Sequence, residues 1–274
     1  MAFLLCGEGN MSDRSATELA LASYRVLDLS RILAGPFCTM ILGDQGADVI
    51  KVERPGTGDD TRTWGPPFAG GESAYYLCCN RNKRSVVIDL KEPAGQDLVR
   101  ELAKVSDVLV ENFTPGLTKR FGLDYETLNK LNPRLVYASI TAYGQNGPYR
   151  NRPGYDMVLS AVGGLMYITG ERNGPPCKVG VAITDVLTGV YASGAITSAL
   201  LWRERSGRGQ YLDISLLDSQ VSGLANIASN YLVANKEARR WGTAHESIIL
   251  PGVSGRGPSD RHRRGEPEAV GKLL

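Results

Sequence analysis

The chain reads as an α/β protein with a Rossmann-like, open and largely parallel sheet flanked by helices. Two observations carry this expectation. Short β-branched runs alternate with segments of helical pattern, and the intervals between runs suit parallel βαβ crossovers. "YRVLDLS" (24–30), "GPFCTMILGDQGA" (35–47) and "DVIKVER" (48–54) give strand, helix and strand. "RSVVIDL" (84–90), "AGQDLVRELAKVS" (94–106) and "DVLVENF" (107–113) repeat the pattern, and the helical "DYETLNKLN" (124–132) precedes the strand "RLVYASITAYG" (134–144). After residue 150 the texture changes. Residues 155–170 and 185–205 are expected as helices lined with small side chains, and 210–241 as a strand running into a further helix, 216–235. Gly189, Ala192, Gly194, Ala195 and Ala199 would let a neighbouring backbone approach closely. Residues 249–274 are rich in Gly, Pro, Ser and Arg without apolar period, the composition of a disordered tail. The expected organisation is therefore an N-terminal extension (1–23), one α/β domain (24–247) and a divergent tail (248–274).

Composition narrows the function classes. With 274 residues, 42% hydrophobic and 22% charged, and a net charge of +2, the chain is an ordinary globular protein without the field that nucleic-acid binding requires. Residues 181–202 are long enough to raise the question of a membrane span. They contain Asp185 and many Gly, Ser and Thr residues, which favours a buried helix of a soluble protein. Cys6, Cys38, Cys78, Cys79 and Cys177 show no zinc spacing, and a reducing intracellular compartment fits them. The first thirty residues lack the Arg-rich, acid-poor pattern of a transit peptide, so no targeting signal is expected there.

Histidine is nearly absent. His245 and His262 both lie at or beyond the border of the tail, which argues against Ser/His/Asp triads, Cys/His dyads and imidazole-rich metal sites. "GTGDD" (56–60) lacks the third glycine of a dinucleotide fingerprint. The cluster "NRNKRS" (80–85) is either a solvated turn or a phosphate clamp formed by Arg81, Lys83 and Arg84, with Arg54 joining if ligands bind at the carboxyl edge of the sheet. Asp185 also has two readings. An acid in the first turn of a helix can cap free N–H groups, and the same dipole would keep its pKa low and leave an ionised nucleophile in apolar surroundings. Asp156 is equally well placed as a cap, and Glu111 could pair with a nearby base, though neither spacing is distinctive.

Five segments stand in one order: "LDLSRILAGPFCTMILGDQGADVIKVERPGTGDDTR" (27–62), "NRNKRSVVIDLK" (80–91), "DVLVENFTPG" (107–116), "PGYDMVLSAVGGLM" (153–166) and "VGVAITDVLTGVYA" (179–192). Together they resemble the class III coenzyme A transferases, an interlocked-dimer family. The resemblance implies transfer of CoA from a succinyl-CoA-like donor to a short, glutarate-like dicarboxylic acid. It makes Asp185 the nucleophile, which forms an acyl-aspartyl anhydride and then an aspartyl-CoA thioester. It carries CoA contacts over to Arg54, Arg81, Lys83 and Arg84 for the phosphates and adenosine, to Asn112, Arg120 and Phe121 along the nucleotide, and to Tyr155 near the pantetheine. It implies no metal and no prosthetic group, since the CoA thioester is itself a substrate. It further implies a homodimer in full-length form, the mitochondrial matrix or otherwise the cytoplasm, and neither nucleic acid nor membrane as partner.

The resemblance also covers alternatives. Racemases of the same fold carry a histidine acid/base where Tyr155 stands, and a phenol of pKa about 10 replaces it poorly. Leu33 stands where formate-transferring members have a glutamine, which points away from formate and oxalate. Family members continue into a second, smaller domain that this sequence is expected to lack, so an inactive subunit that only oligomerises with full-length chains is the other reading.

Overall fold

The computed structural model describes residues 19–245; most of the expected N-terminal extension and all of the expected tail lie outside the described residues. β1 (Arg25–Asp28), α1 (Ala34–Asp44) and β2 (Asp48–Glu53) follow the expected order. A 3-10 turn (Asp60–Thr63), a small hairpin of β3 (Phe68–Ala69) and β4 (Glu72–Ser73), and α2 (Ala74–Asn80) come next, all unforeseen in the sequence pattern. Then come β5 (Lys83–Val87), α3 (Pro93–Lys104), β6 (Val108–Glu111), α4 (Leu117–Arg120), α5 (Tyr125–Leu131) and β7 (Val136–Thr141). The last part holds α6 (Asp156–Val162), α7 (Leu165–Ile168), α8 (Ile183–Ser206), β8 (Tyr211–Ser215), α9 (Leu216–Gly223) and α10 (Ala225–Ala234).

Local chemistry sets many boundaries. Pro93 opens α3, where its missing N–H costs nothing. Asp124 caps α5 by accepting from Thr127 N–H at 3.1 Å, and Ser215 caps α9 by accepting from Asp218 N–H at 2.9 Å. Gly207, at φ 72°, ends α8 in the left-handed conformation. Two helices expected as continuous are broken. The segment 155–170 divides at Gly163 and Gly164, where Gln220 Nε2 donates to the Gly163 carbonyl at 3.1 Å and any side chain at 163 would strike the Gln220 carboxamide. The segment 216–235 divides at Leu224 and Ala225, the latter at φ 45°.

Six parallel strands form one sheet in the order β5-β2-β1-β6-β7-β8. Both faces are covered, so the central strands read as nearly unbroken apolar runs. Their alternation still sorts the side chains. Val26, Val108, Val110, Val136, Ala138 and Ile140 face α1 and α8, whose Leu42, Ala192, Ile196 and Ala199 complete that core. Leu27, Leu109 and Tyr137 face the other way, against Val99 and Ala103 of α3 and Leu128 of α5. Leu21 also packs into the first core, so the folded unit begins before residue 24.

The chain lays strands outward from β1 to β5, then returns to β6 and builds the other half. Loops leaving β1 and β6 therefore diverge and open a crevice at the carboxyl edge. α8 crosses α1 closely beside that crevice. A Cβ at Gly189 would stand 2.8 Å from the Ala34 carbonyl oxygen, so only glycine admits this approach. Gly194, by contrast, faces open space with nothing within 4 Å. Among the described residues no helix is long and apolar enough to cross a membrane.

Candidate active site

Two cavities open at the carboxyl ends of the strands and share Phe113 as a common wall. The first, of about 350 Å³, is bounded by the loops after β1, β2, β5 and β6 together with α4. Leu29, Ile88, Leu117, Phe113 and Phe121 supply an apolar lining, and Arg31, Arg54 and Lys91 supply cationic groups. Such a combination suits an aromatic base followed by phosphates. Asp60 holds two of the cations in place: Arg31 Nη1 lies 3.2 Å from Asp60 Oδ2, and Arg54 Nη2 donates to Asp60 Oδ1.

A buried ionic layer stiffens this wall from below. Lys51 Nζ lies 2.9 Å from Asp59 and donates to the Ser30 carbonyl at 2.9 Å. Glu53 accepts from Arg62 Nε and Nη2, each at 2.7 Å, and from Asp59 N–H at 2.8 Å. Although burial opposes ionisation of Glu53, the Arg62 guanidinium and the Ser85 hydroxyl hold its pKa down at about 2. Asn112 locks the two diverging loops together. Its Oδ1 accepts from Arg31 N–H at 2.8 Å, and its Nδ2 donates to the Arg31 carbonyl at 2.7 Å.

The second cavity, about 300 Å³, contains Asp185, Tyr155, Leu33, Asn112, Thr141, Arg150 and Arg152 among its walls. Asp185 sits in the first turn of α8, but it does not cap that helix. The cap comes from Asp156, whose Oδ1 accepts from Thr184 N–H at 2.8 Å. Asp156 Oδ2 is buried without a hydrogen bond, and Lys178 Nζ stands 3.7 Å from it. Burial, and then the like charge of Asp156, push Asp185 up to about 7. The expectation that the helix dipole keeps this pKa low is thereby corrected, because desolvation and a neighbouring carboxylate outweigh a dipole worth about 0.3–1 kcal/mol.

This arrangement makes Asp156 a control on the ionisation of Asp185. Asp156→Asn keeps an acceptor for Thr184 N–H and removes the like charge, so ionisation of Asp185 is expected to move to lower pH. Carboxyl chemical shifts followed through a pH titration check this, and an unmoved or raised midpoint would contradict it. Asp156→Ala also loses the cap and is expected to cost about 0.5–2 kcal/mol of stability.

The expected site residues divide by position. Arg54 and Phe121 line the first cavity, and Asn112, Tyr155 and Asp185 line the second. Arg120 sits at the exposed end of α4, next to the walls formed by Leu117 and Phe121. Arg81, Lys83 and Arg84 stand apart from both groups. They sit at the start of β5, whereas the cavities lie beyond the ends of the strands, and none lines either cavity. Arg81 pairs with Asp44, and Arg84 donates to both oxygens of Asp48 at 2.7 Å. Lys83 is buried, with Nζ 3.1 Å from Asp28 and donating to the Pro36 carbonyl at 2.9 Å.

Against its burial, Asp28 is brought down to about 2 by Lys83, Lys51 and the hydroxyls of Ser30 and Thr39. Glu111 meets no base among the described residues; it accepts from Phe113 N–H at 2.8 Å, and burial pushes it up to about 7.

Arg31, Lys91, Arg150 and Arg152 were missed. For Lys91 a signal existed, since it follows the strand run "VVID" and so falls at the carboxyl edge. Arg31 likewise follows β1.

Comparison with known proteins agrees with this geometry. The chain is 57% identical over 247 residues to succinyl-CoA:glutarate CoA-transferase of Homo sapiens, covering 89% of this chain and 56% of that protein. It is 50% identical over 255 residues to succinate--glutarate CoA-transferase of Agrobacterium fabrum, covering 89% of this chain and 64% of the other. This chain thus spans between half and two thirds of the length of these relatives. The crystal structure of a CAIB/BAIF family protein from Brucella suis matches with a TM-score of 0.81 at 48% identity, over 84% of this chain and 62% of that one. The model of CoA-transferase family III matches residues 21–253, and on that match, with the sheet and its carboxyl-edge cavities, the chain belongs to CoA-transferase family III.

Proposed function

We propose that the protein moves coenzyme A from a succinyl-CoA-like thioester to a short dicarboxylic acid such as glutarate. The observation that carries this reading is Asp185 in a cavity that shares the wall residue Phe113 with a second one that is cationic and aromatic. The nucleotide end of CoA fits the first cavity, with Arg31, Arg54 and Lys91 toward the phosphates and Phe121 beside the base. The thioester then reaches Asp185, with Tyr155 along the pantetheine arm.

In the reaction, the Asp185 carboxylate attacks the thioester carbonyl and the C–S bond breaks, giving an acyl-aspartyl anhydride and CoA thiolate. The thiolate attacks the aspartyl carbonyl of the anhydride and releases the donor acid as its carboxylate. The acceptor carboxylate then attacks the aspartyl-CoA thioester, which forms a new anhydride and frees the thiolate again. Attack of the thiolate on the acceptor's acyl carbon yields the product thioester and restores Asp185. No proton is lost or gained overall, so a cavity poor in acid/base groups suffices.

The names of the relatives support the choice of acids. A homodimer is part of the proposal. Tyr191, Leu201 and Trp202 on α8 and Leu232 and Val233 on α10 are exposed apolar side chains, the last two by 80% and 84%, and such surfaces are normally covered. Free thiols at Cys38, Cys78, Cys79 and Cys177 suit a reducing intracellular compartment, with the mitochondrial matrix favoured by the family resemblance. The test is chromatography of the acyl-CoA pool after incubation with succinyl-CoA and glutarate. Glutaryl-CoA should accumulate as succinyl-CoA falls; an unchanged pool would overturn the proposal.

A further inference from the structure

The cavity that contains Asp185 is also lined by two exposed arginines, Arg150 and Arg152, with no evident task. On this edge Arg31 and Arg54 meet Asp60, and Arg62 meets Glu53. Arg150 instead donates weakly to the Gly147 carbonyl, at 3.4 Å, and Arg152 lies 3.9 Å over the Tyr149 ring. Neither has a carboxylate partner among the described residues. A second observation points the same way. Thr141 is buried, its hydroxyl has no hydrogen-bond partner, and it lines the same cavity. The remaining lining is largely aliphatic, with Leu33, Ile140 and Leu216 among it. The cavity thus combines one carboxylate, an apolar lining and two unpaired cations.

That pattern matches a particular molecule. A short dicarboxylic acid presents one carboxyl group for reaction, a few methylenes, and a second carboxylate that needs counter-charges. We propose that Arg150 and Arg152 bind this second carboxylate, with the Thr141 hydroxyl available to donate to it, and that they select dicarboxylic over monocarboxylic acids of equal length. The inference rests on the CoA-transfer reading above and assigns its acyl specificity to named side chains. A fork of guanidinium N–H groups fits a carboxylate in two-point fashion. A site built for a polar group also rejects the analogue that lacks it, because its own polar atoms are left unpaired.

The test is kinetic and uses the full-length protein. Values of kcat and KM are measured for succinyl-CoA against butyryl-CoA, and for glutarate against valerate, in wild type, Arg150→Gln, Arg152→Gln and the corresponding lysine variants. Each glutamine variant is expected to lower the preference for the dicarboxylic member roughly 10- to 100-fold, mainly through KM. The monocarboxylic member should change far less, and lysine should restore part of the preference. An unchanged preference in both glutamine variants, or equal losses on both kinds of acid, would overturn the assignment. Should the wild-type protein transfer no CoA, the function proposed above falls, and calorimetric titration with glutarate decides the present point. Binding that weakens in the glutamine variants upholds it; equal binding, or none by wild type, overturns it.

Discussion

Asp185→Asn is expected to lower CoA transfer by at least about 10⁴-fold and to leave the chain folded. The loss follows from chemistry, since an amide cannot form the anhydride on which both halves of the reaction depend. Mass spectrometry after exposure to succinyl-CoA should find a covalent adduct on wild type and none on the variant. Because the acid must be ionised to attack, the rate of the first half-reaction should rise with pH and level off above about 7.

The effect on stability has an unusual sign. The folded pKa of Asp185 is raised from 3.8 to about 7, so between those values the native state keeps a proton that the unfolded chain has released. Stability contributed by this group therefore falls as pH rises across that window, and the deficit stays constant above it. Asp185→Asn should accordingly be more stable than wild type at pH 8, by on the order of 2–4 kcal/mol, and no more stable below pH 3.8. Denaturant midpoints at the two pH values check this. Transfer at near the wild-type rate, or a variant less stable at pH 8, would count against Asp185 as a buried nucleophile.

Lys83→Met is the second large effect, and it falls on stability. The substitution leaves the Asp28 carboxylate fully buried with Lys51 as the remaining nearby cation, and breaking one partner of such a pair costs about 3–5 kcal/mol. That is a large part of the 5–15 kcal/mol typical of a whole domain. For Asp28 the sign is the ordinary one. Its folded pKa of about 2 lies below the usual 3.8, so its contribution is present above pH 3.8 and is lost as pH falls through about 2. Arg81→Gln, which removes only the pair with Asp44, should stay within about 1 kcal/mol of wild type. KM for the CoA donor should be nearly unchanged in both. A large rise in KM with intact stability would instead make Lys83 a phosphate ligand.

These two cases show where the sequence was legible. Strands such as β6 and β7 were plain because both faces are buried, which makes the apolar run itself the signal. The break between α6 and α7 was hidden, because it depends on Gln220, which lies far along the chain and reaches Gly163 only after folding. The sequence singles out Asp185 as an acid in an apolar helix start, yet its charge state could not be read. That state depends on burial and on Asp156, which comes near only through its hydrogen bond to Thr184 N–H. The basic run at 80–85 precedes β5, so its position depends on topology as well as composition. Residues at the start of a parallel strand lie at the end opposite the ligand crevice, so equal composition before and after β5 has opposite meaning.

The order in which the walls occur along the chain bears on biosynthesis. Every residue lining the first cavity falls between Leu29 and Phe121, whereas Asp185 arrives with α8, which the contact of Gly189 with α1 seats. During translation the groups assigned to the nucleotide are therefore made well before the reactive carboxylate, and the last wall of its cavity, Leu216, is later still. A nascent chain would carry its docking groups without the means to open a thioester.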